Sequence, residues 1–245
     1  MNSFFEEIYI QIYVTFIYEN RWKFFIDGLW MTLLLTFSSF ILGTLLGIVF
    51  CRLKMSRSVL LRRISDIIAS LFIQIPTMVL LMLFVYVIFG SSSLPVVLVV
   101  IICLTIKTAS YMSDIFYTSV NTVNKGEIEA ARTLGMNRYQ AFFNVMLPQA
   151  IDNVLPVYKN QFVSTLQETS VVGYIAIMDL TRASDIVSSR TFDAMFALIT
   201  VTLIYLVIGW SVSVLIGVLM KRKRVLGFRL KISAKAMTAY RYLKM

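Results

Sequence analysis

Two charged side chains lie where an apolar chain has least room for charge: Lys107, inside "LPVVLVVIICLTIKTASYM", and Glu168, ending "VYKNQFVSTLQE". An ionisable group within such a run is costly unless it is paired or wet. Glu168 therefore suggests either a contact with a solute ammonium or a structural pair, and Lys107 could meet a solute carboxylate or pair with Glu168. Asn160, Ser164 and Gln167 recur at spacings of four and three beside Glu168, which stacks them on one helix face. Such a stripe suits a polar passage or an ordinary hydrogen-bond network. Other chemistry is missing from the pattern. There is no His, Cys51 and Cys103 form no CxxC pair, and neither HExxH, GxxxxGK[ST] nor a Rossmann glycine fingerprint occurs. No catalytic, metal or cofactor set is expected, and the chain should not hydrolyse ATP by itself.

A second feature is polar: "GEIEAARTLGMNRYQAFFNVMLPQA" at 126–150 interrupts the apolar chain. Apolar residues recur with helical spacing on both sides of Gly135. "EAARTLG" predicts a short helix stopped by a glycine able to turn left-handed. "NRYQAFFNVMLP" predicts a second one, capped by Asn137 and with Pro148 near its end. Ala130 and Ala131 leave little side chain on the surface, so another protein could approach the backbone closely, with Glu127 and Glu129 adding charge. A helix pair resting on a membrane surface has the same pattern.

These features must be held by apolar elements. The 245 residues are 58% hydrophobic and only 15% charged, the balance of an integral membrane protein. Five runs, at 28–50, 67–89, 94–112, 154–178 and 194–220, are each about 20 residues or longer, enough to cross a hydrocarbon layer of roughly 30 Å. Residues 1–27 lack a basic leader pattern and read as an aromatic, amphipathic segment that lies along the surface or completes the first span. Arg52, Lys54, Arg57, Arg62 and Arg63 follow the first run, and the tail at 221–245 carries nine basic and no acidic residues. Basic loops stay in the cytoplasm, which places the amino end outside, the carboxyl tail inside and the 121–153 insertion in the cytoplasm. The tail suits anionic lipid, and nucleic acid is not expected as a partner. The 178–193 loop balances Arg182 and Arg190 against Asp179, Asp185 and Asp193, and Ser38, Gly43 and Gly47 offer a small face for close helix contact.

The insertion resembles the EAA loop of permease subunits of bacterial ABC importers: Glu129, Ala130 and Ala131, then Gly135, then Leu147 and Pro148. Over roughly residues 25–220 the chain is similar to the polar amino acid permease family, through Gly28, Leu29, Thr32 and Leu33, "ASYMSD" at 109–114, "PVYKN" at 156–160 and "QETSV" at 167–171. The resemblance implies an all-α membrane protein of the type I importer permease fold, with about five transmembrane helices in a domain at 28–220 and a cytoplasmic coupling helix. Glu129, Ala130, Ala131 and Gly135 would then make or shape the contact with a separate ATPase, and Leu147 and Pro148 would fix the return into the membrane. Lys107, Asn160, Ser164, Gln167 and Glu168 would line the pathway. The implied partners are two ATPase subunits, which bind the ATP and magnesium, an external solute-binding protein, a second permease chain, identical or related, a small polar solute and the lipids of the bacterial inner membrane.

The chain departs from that family's pattern where "FIQIP" replaces an arginine-bearing segment, where Asp114 and Tyr117 stand for a glutamate and an arginine, and where Gln167 stands for a lysine. These changes leave fold and coupling in place but bear on the solute. Alternatives are a permease of the same fold for another small solute, and a channel or stand-alone secondary transporter, which would not need "EAARTLG".

Overall fold

The computed structural model describes residue 6 and residues 9–242, with side chains described as far as Val218. The described residues are helical and contain no strand. Helices are numbered in chain order as α1 Trp22–Lys54, α2 Val59–Gln74, α3 Thr77–Met82, α4 Val96–Asn121, α5 Lys125–Thr133, α6 Arg138–Ala141, α7 Leu147–Glu168, α8 Leu180–Thr191 and α9 Ala194–Tyr242. The side chains of the basic tail lie outside the described residues.

Helix α4 is the centre. Its most apolar window is 61% buried, against 33% for α1 and 6% for α9, so the other helices wrap around it. Helix α1 has a buried face that repeats every three or four residues, Gly28, Thr32, Thr36, Ser39, Gly43, Gly47, Cys51 and Lys54; its first two positions meet Asp179 and Leu180, and Gly43 and Gly47 lie against α4. A Cβ on Gly43 would sit 2.7 Å from the Thr108 Cβ, and one on Gly47 would sit 2.5 Å from the Met112 Cβ. Small residues at this seam let two backbones approach where lipid supplies no hydrophobic drive. Gly43 and Gly47 thus meet the expectation, but Ser38 does not belong with them. It lies five residues before Gly43, off the seam, and its hydroxyl donates to the Leu34 carbonyl of its own helix at 2.6 Å; Ser39 takes the seam position.

The amino-terminal segment is joined to the first span in the structure. Its last residues, from Trp22, are continuous with α1, and a turn with positive φ at Glu19 and Asn20 separates them from the helical turns before it. Buried Arg21 fastens that turn, donating to the Val14 carbonyl at 2.9 Å and pairing with Glu19 at 3.2 Å.

The apolar run at 67–89 is not one straight span. Ile75 and Pro76 are extended, and the helices on either side meet at a bend of 106°. Proline lacks the N–H that would continue the helix and pushes its predecessor out of the α region. Helices α1, α4 and α9 are long and apolar enough to cross a membrane, and the bent pair, a broken span or a re-entrant loop, makes four if it is taken as one span. The fifth expected span, at 154–178, is α7 followed by a 3-10 turn, Thr169–Ile175, that ends on Ala176 in the left-handed region. Its Lys159, Asn160, Gln161, Gln167 and Glu168 make it too polar to pass on apolarity alone, as befits a helix that does not face lipid all round.

The 178–193 segment is likewise more than a loop. It contains α8, whose Leu180, Ala183 and Val187 pack with Phe25 of α1 and with Ala197 and Val201 of α9.

Candidate coupling insert and polar pathway

The insert is built from local signals. Asn124 caps α5 by accepting from the Gly126 N–H at 2.9 Å. The helix closes as a Schellman motif: Gly135 N–H donates to the Arg132 carbonyl at 3.0 Å and Met136 N–H to the Ala131 carbonyl at 3.2 Å. Gly135 has φ +87° and open space around it, so the glycine is needed for its backbone angle and not for its size. Asn137 and Gln140 then form a reciprocal capping box, each backbone N–H donating to the other's side chain at 2.9 Å. The predicted second helix does not stop at Pro148. After α6 it passes through a π turn, Phe142–Met146, into α7, whose first turn contains Pro148; proline has no N–H to give to the helical turn before it, and the irregular π turn stands at that place.

The insert has a small core of its own: Val123, Ala131, Ala141 and Ala150 are at most 5% exposed. Ala131 therefore faces inward, while Glu129 and Ala130, two and one positions earlier, are exposed. Ala131 thus belongs to the insert's own core and not to its open surface. Three apolar side chains that pattern reading did not single out are the most open on this surface: Leu134 at 82%, Tyr139 at 78% and Phe143 at 59%. Their spacing around Gly135 was visible, but only the Schellman turn fixes that they point away from the core.

At the other candidate site Lys107 is 3% exposed, and its ammonium is already occupied. It donates to the Thr77 hydroxyl at 2.7 Å and to the Ile75 carbonyl at 3.0 Å, the latter released from helical pairing by the Pro76 bend. The Glu168 carboxylate lies 4.0 Å away, and its Oε2 is buried without a partner among the described residues. Asn160, Ser164 and Gln167 are exposed along one face of α7, opposite the buried Gln161, Phe162, Thr165 and Leu166. The stripe and Glu168 thus share a helix, whereas Lys107 is turned into the bend.

Two polar clusters were missed. Lys54, 6% exposed, pairs with Asp66 at 3.3 Å and with Asp114, tying α1, α2 and α4 together at one end of the seam. The four- and three-residue steps from Gly43 through Gly47 and Cys51 to Lys54 were a usable signal. Asp179 is fully buried; it caps α8 by accepting from the Arg182 N–H at 2.8 Å, while the neighbouring Leu180 N–H donates to the Thr32 hydroxyl of α1 at 3.2 Å. Burial pushes its carboxyl above the ordinary range, opposed by hydrogen bonds from the Arg182 and Thr181 backbone. Asp179 is thus a joint, not a loop charge balancing Arg182.

Residues 39–225 match the family model described as the inner membrane component of binding-protein-dependent transport systems. "Probable amino-acid permease protein YxeN" of Bacillus subtilis is 27% identical over 198 residues, covering 79% of this chain and 87% of its own length. "Probable glutamine ABC transporter permease protein GlnP" of the same organism is 28% identical over 202 residues, covering 80% and 91% respectively. A solved structure described as an amino acid ABC transporter with histidines aligns with a TM-score of 0.75 at 33% identity, over 82% of this chain and 94% of that one. With its helices arranged as in a type I importer permease, the chain is a multi-pass transport protein and belongs to the family of inner membrane components of binding-protein-dependent transport systems.

Proposed function

We propose that this chain forms the pathway of an ATP-driven importer for a polar amino acid. It pairs with a second permease chain, receives solute from an external binding protein and is driven by two separate ATPase subunits, which bind the ATP and magnesium. The amino end lies outside and the carboxyl tail inside. One observation carries the coupling half of the proposal: the exposed α5 to α6 corner, with Glu129 and Ala130 open, apolar Leu134 and Tyr139 beside them and Gly135 fixing the turn. A corner of this kind transmits a push without chemistry of its own. The solute class rests on the amino acid permeases and the amino acid transporter that the chain is similar to. The exposed stripe of Asn160, Ser164 and Gln167 supplies neutral donors and acceptors, and the half-buried Glu168 at its end supplies negative charge for an ammonium group. Lys107, already engaged by Ile75 and Thr77, serves as the structural member of the pair.

The test is co-purification from the native membrane in mild detergent, with mass spectrometry, for the intact chain and Glu129→Arg, followed by uptake of labelled amino acids in proteoliposomes. An ATPase is expected with the intact chain and weakened or lost with the variant. A folded complex without any ATPase would overturn the importer reading in favour of a lone transporter. Uptake confined to solutes other than amino acids would overturn the solute class alone.

A further inference from the structure

The two junctions between the insert and the membrane helices differ in stiffness. On the α7 side the chain is continuously helical from Arg138 through the π turn to Glu168. On the α4 side the helix ends at Asn121, and Thr122, Val123 and Asn124 form a non-helical joint before α5. Such a joint is a hinge unless something spans it, because a few free backbone angles absorb a push that should reach α4.

Two side-chain hydrogen bonds span it. The Asn153 amide donates to the Thr122 hydroxyl at 3.1 Å, joining the end of α4 to α7. The Gln149 amide donates to the Glu127 carboxylate, joining the first turn of α5 to the first turn of α7. Gln149 and Asn153 are one helical turn apart and so share a face of α7. Between the two rungs the joint is plugged by Val123 and Ala150, 5% and 3% exposed. The rungs thus close a triangle of α4, α5 and α7 across the non-helical joint between α4 and the insert.

We propose that Glu127, Gln149 and Asn153 are positioning residues that turn this hinge into a rigid strut, so that a displacement of α5 moves α4 and α7 as one body. The proposal rests on the coupling role of the insert stated above. It assigns Glu127 a different part from that of Glu129: it faces α7 and braces the corner, and it does not belong to the docking surface. Cutting both rungs leaves the docking corner in place but lets the joint absorb the stroke.

The experiment is the ATP consumed per amino acid accumulated in proteoliposomes, using the complex with its co-purified ATPase, the binding protein and a labelled mixture of polar amino acids. The double variant Glu127→Ala with Asn153→Ala should retain the ATPase, yet consume about fivefold more ATP per solute, the scale of coupling changes caused by residues remote from either ligand. The exchange variant Glu127→Gln with Gln149→Glu re-forms its rung with donor and acceptor reversed and should return to within about twofold of the intact chain. If the double variant does not fold, Asn153→Ala alone and the exchange variant carry the same comparison. An unchanged ratio in the variants that lack a rung, or an exchange variant as uncoupled as the alanine variant, overturns the strut. Absence of ATPase from the intact complex is a different failure and overturns the importer reading itself.

Discussion

Asp179 shows how one side chain serves several elements. Its carboxylate caps α8, its backbone carbonyl packs against the bare Cα of Gly28, and a Cβ on Gly173 would meet its Oδ1 at 2.8 Å. Because burial raises its native value, the folded chain holds its proton to higher pH than the unfolded chain does. Its contribution to stability is therefore greatest in acid, declines as pH rises from about 3.9, the ordinary Asp value, through the raised native value, and is flat above it. Asp179→Asn keeps an oxygen to cap α8 but cannot ionise. The fall in melting temperature from acid towards neutral pH should be shallower in Asp179→Asn than in the intact chain; parallel curves would refute this account. Both Asp179 and Gly135 could be found in the sequence, but with different success. Gly135 announces itself, since a glycine after a short amphipathic run has a local meaning. Asp179 looked like a loop charge because its burial comes from Gly28 and Thr32, about 150 positions earlier in the chain.

Among the elements, α1 and α4 form the seam on which the remaining helices are assembled. Gly47→Leu would drive a branched side chain into Met112, where even a Cβ has no room, and overpacking of this kind costs on the order of 3 kcal/mol. The variant should aggregate or melt well below the intact chain in detergent, while Ile48→Leu, at a position 53% exposed, should leave the melting temperature unchanged. Equal behaviour of the two would mean that the seam does not hold the fold. The apolar runs that became α1, α4 and α9 were legible because length and apolarity suffice to define a span. The run around Pro76 was not read as broken, although the proline was in view. A helix can bend slightly at proline or turn sharply, and here Lys107, satisfying the freed Ile75 carbonyl from α4, makes the sharp turn affordable. Helix α7 falls short of the other runs because Lys159, Asn160, Gln161, Gln167 and Glu168 dilute its apolar signal.

For the whole molecule, basic residues cluster around one end of the bundle: Arg52 lies in the last turn of α1 and Arg57, Arg62 and Arg63 follow it, and the insert shares that side by its position after α4. The orientation this implies is testable by labelling, because the two native cysteines, Cys51 and Cys103, are buried at 7% and 0%. With a membrane-impermeant maleimide, Ser92→Cys should label in intact cells and Glu129→Cys only after permeabilisation. The reverse pattern would invert the topology and remove the insert from any cytoplasmic ATPase. The family and the helical fold were legible over most of the chain, since the "EAARTLG" signature is local. The bracing of the insert was not, because its rungs join residues more than twenty positions apart through side chains that no periodicity marks.

The hold on Lys107 also sets an order of events during biogenesis. Ile75 and Thr77, which receive its ammonium, precede it in the chain, whereas Glu168 is synthesised only with α7, after the insert. As α4 leaves the ribosome and enters the bilayer, neutral oxygen acceptors for its charge are already in place at the bend. The lysine can be lodged before its counter-ion exists, so the nascent chain need not wait for α7 to commit α4 to the membrane. A ribosome stalled after α4 should therefore already hold that helix inserted, with Thr77→Val making its insertion depend on later segments.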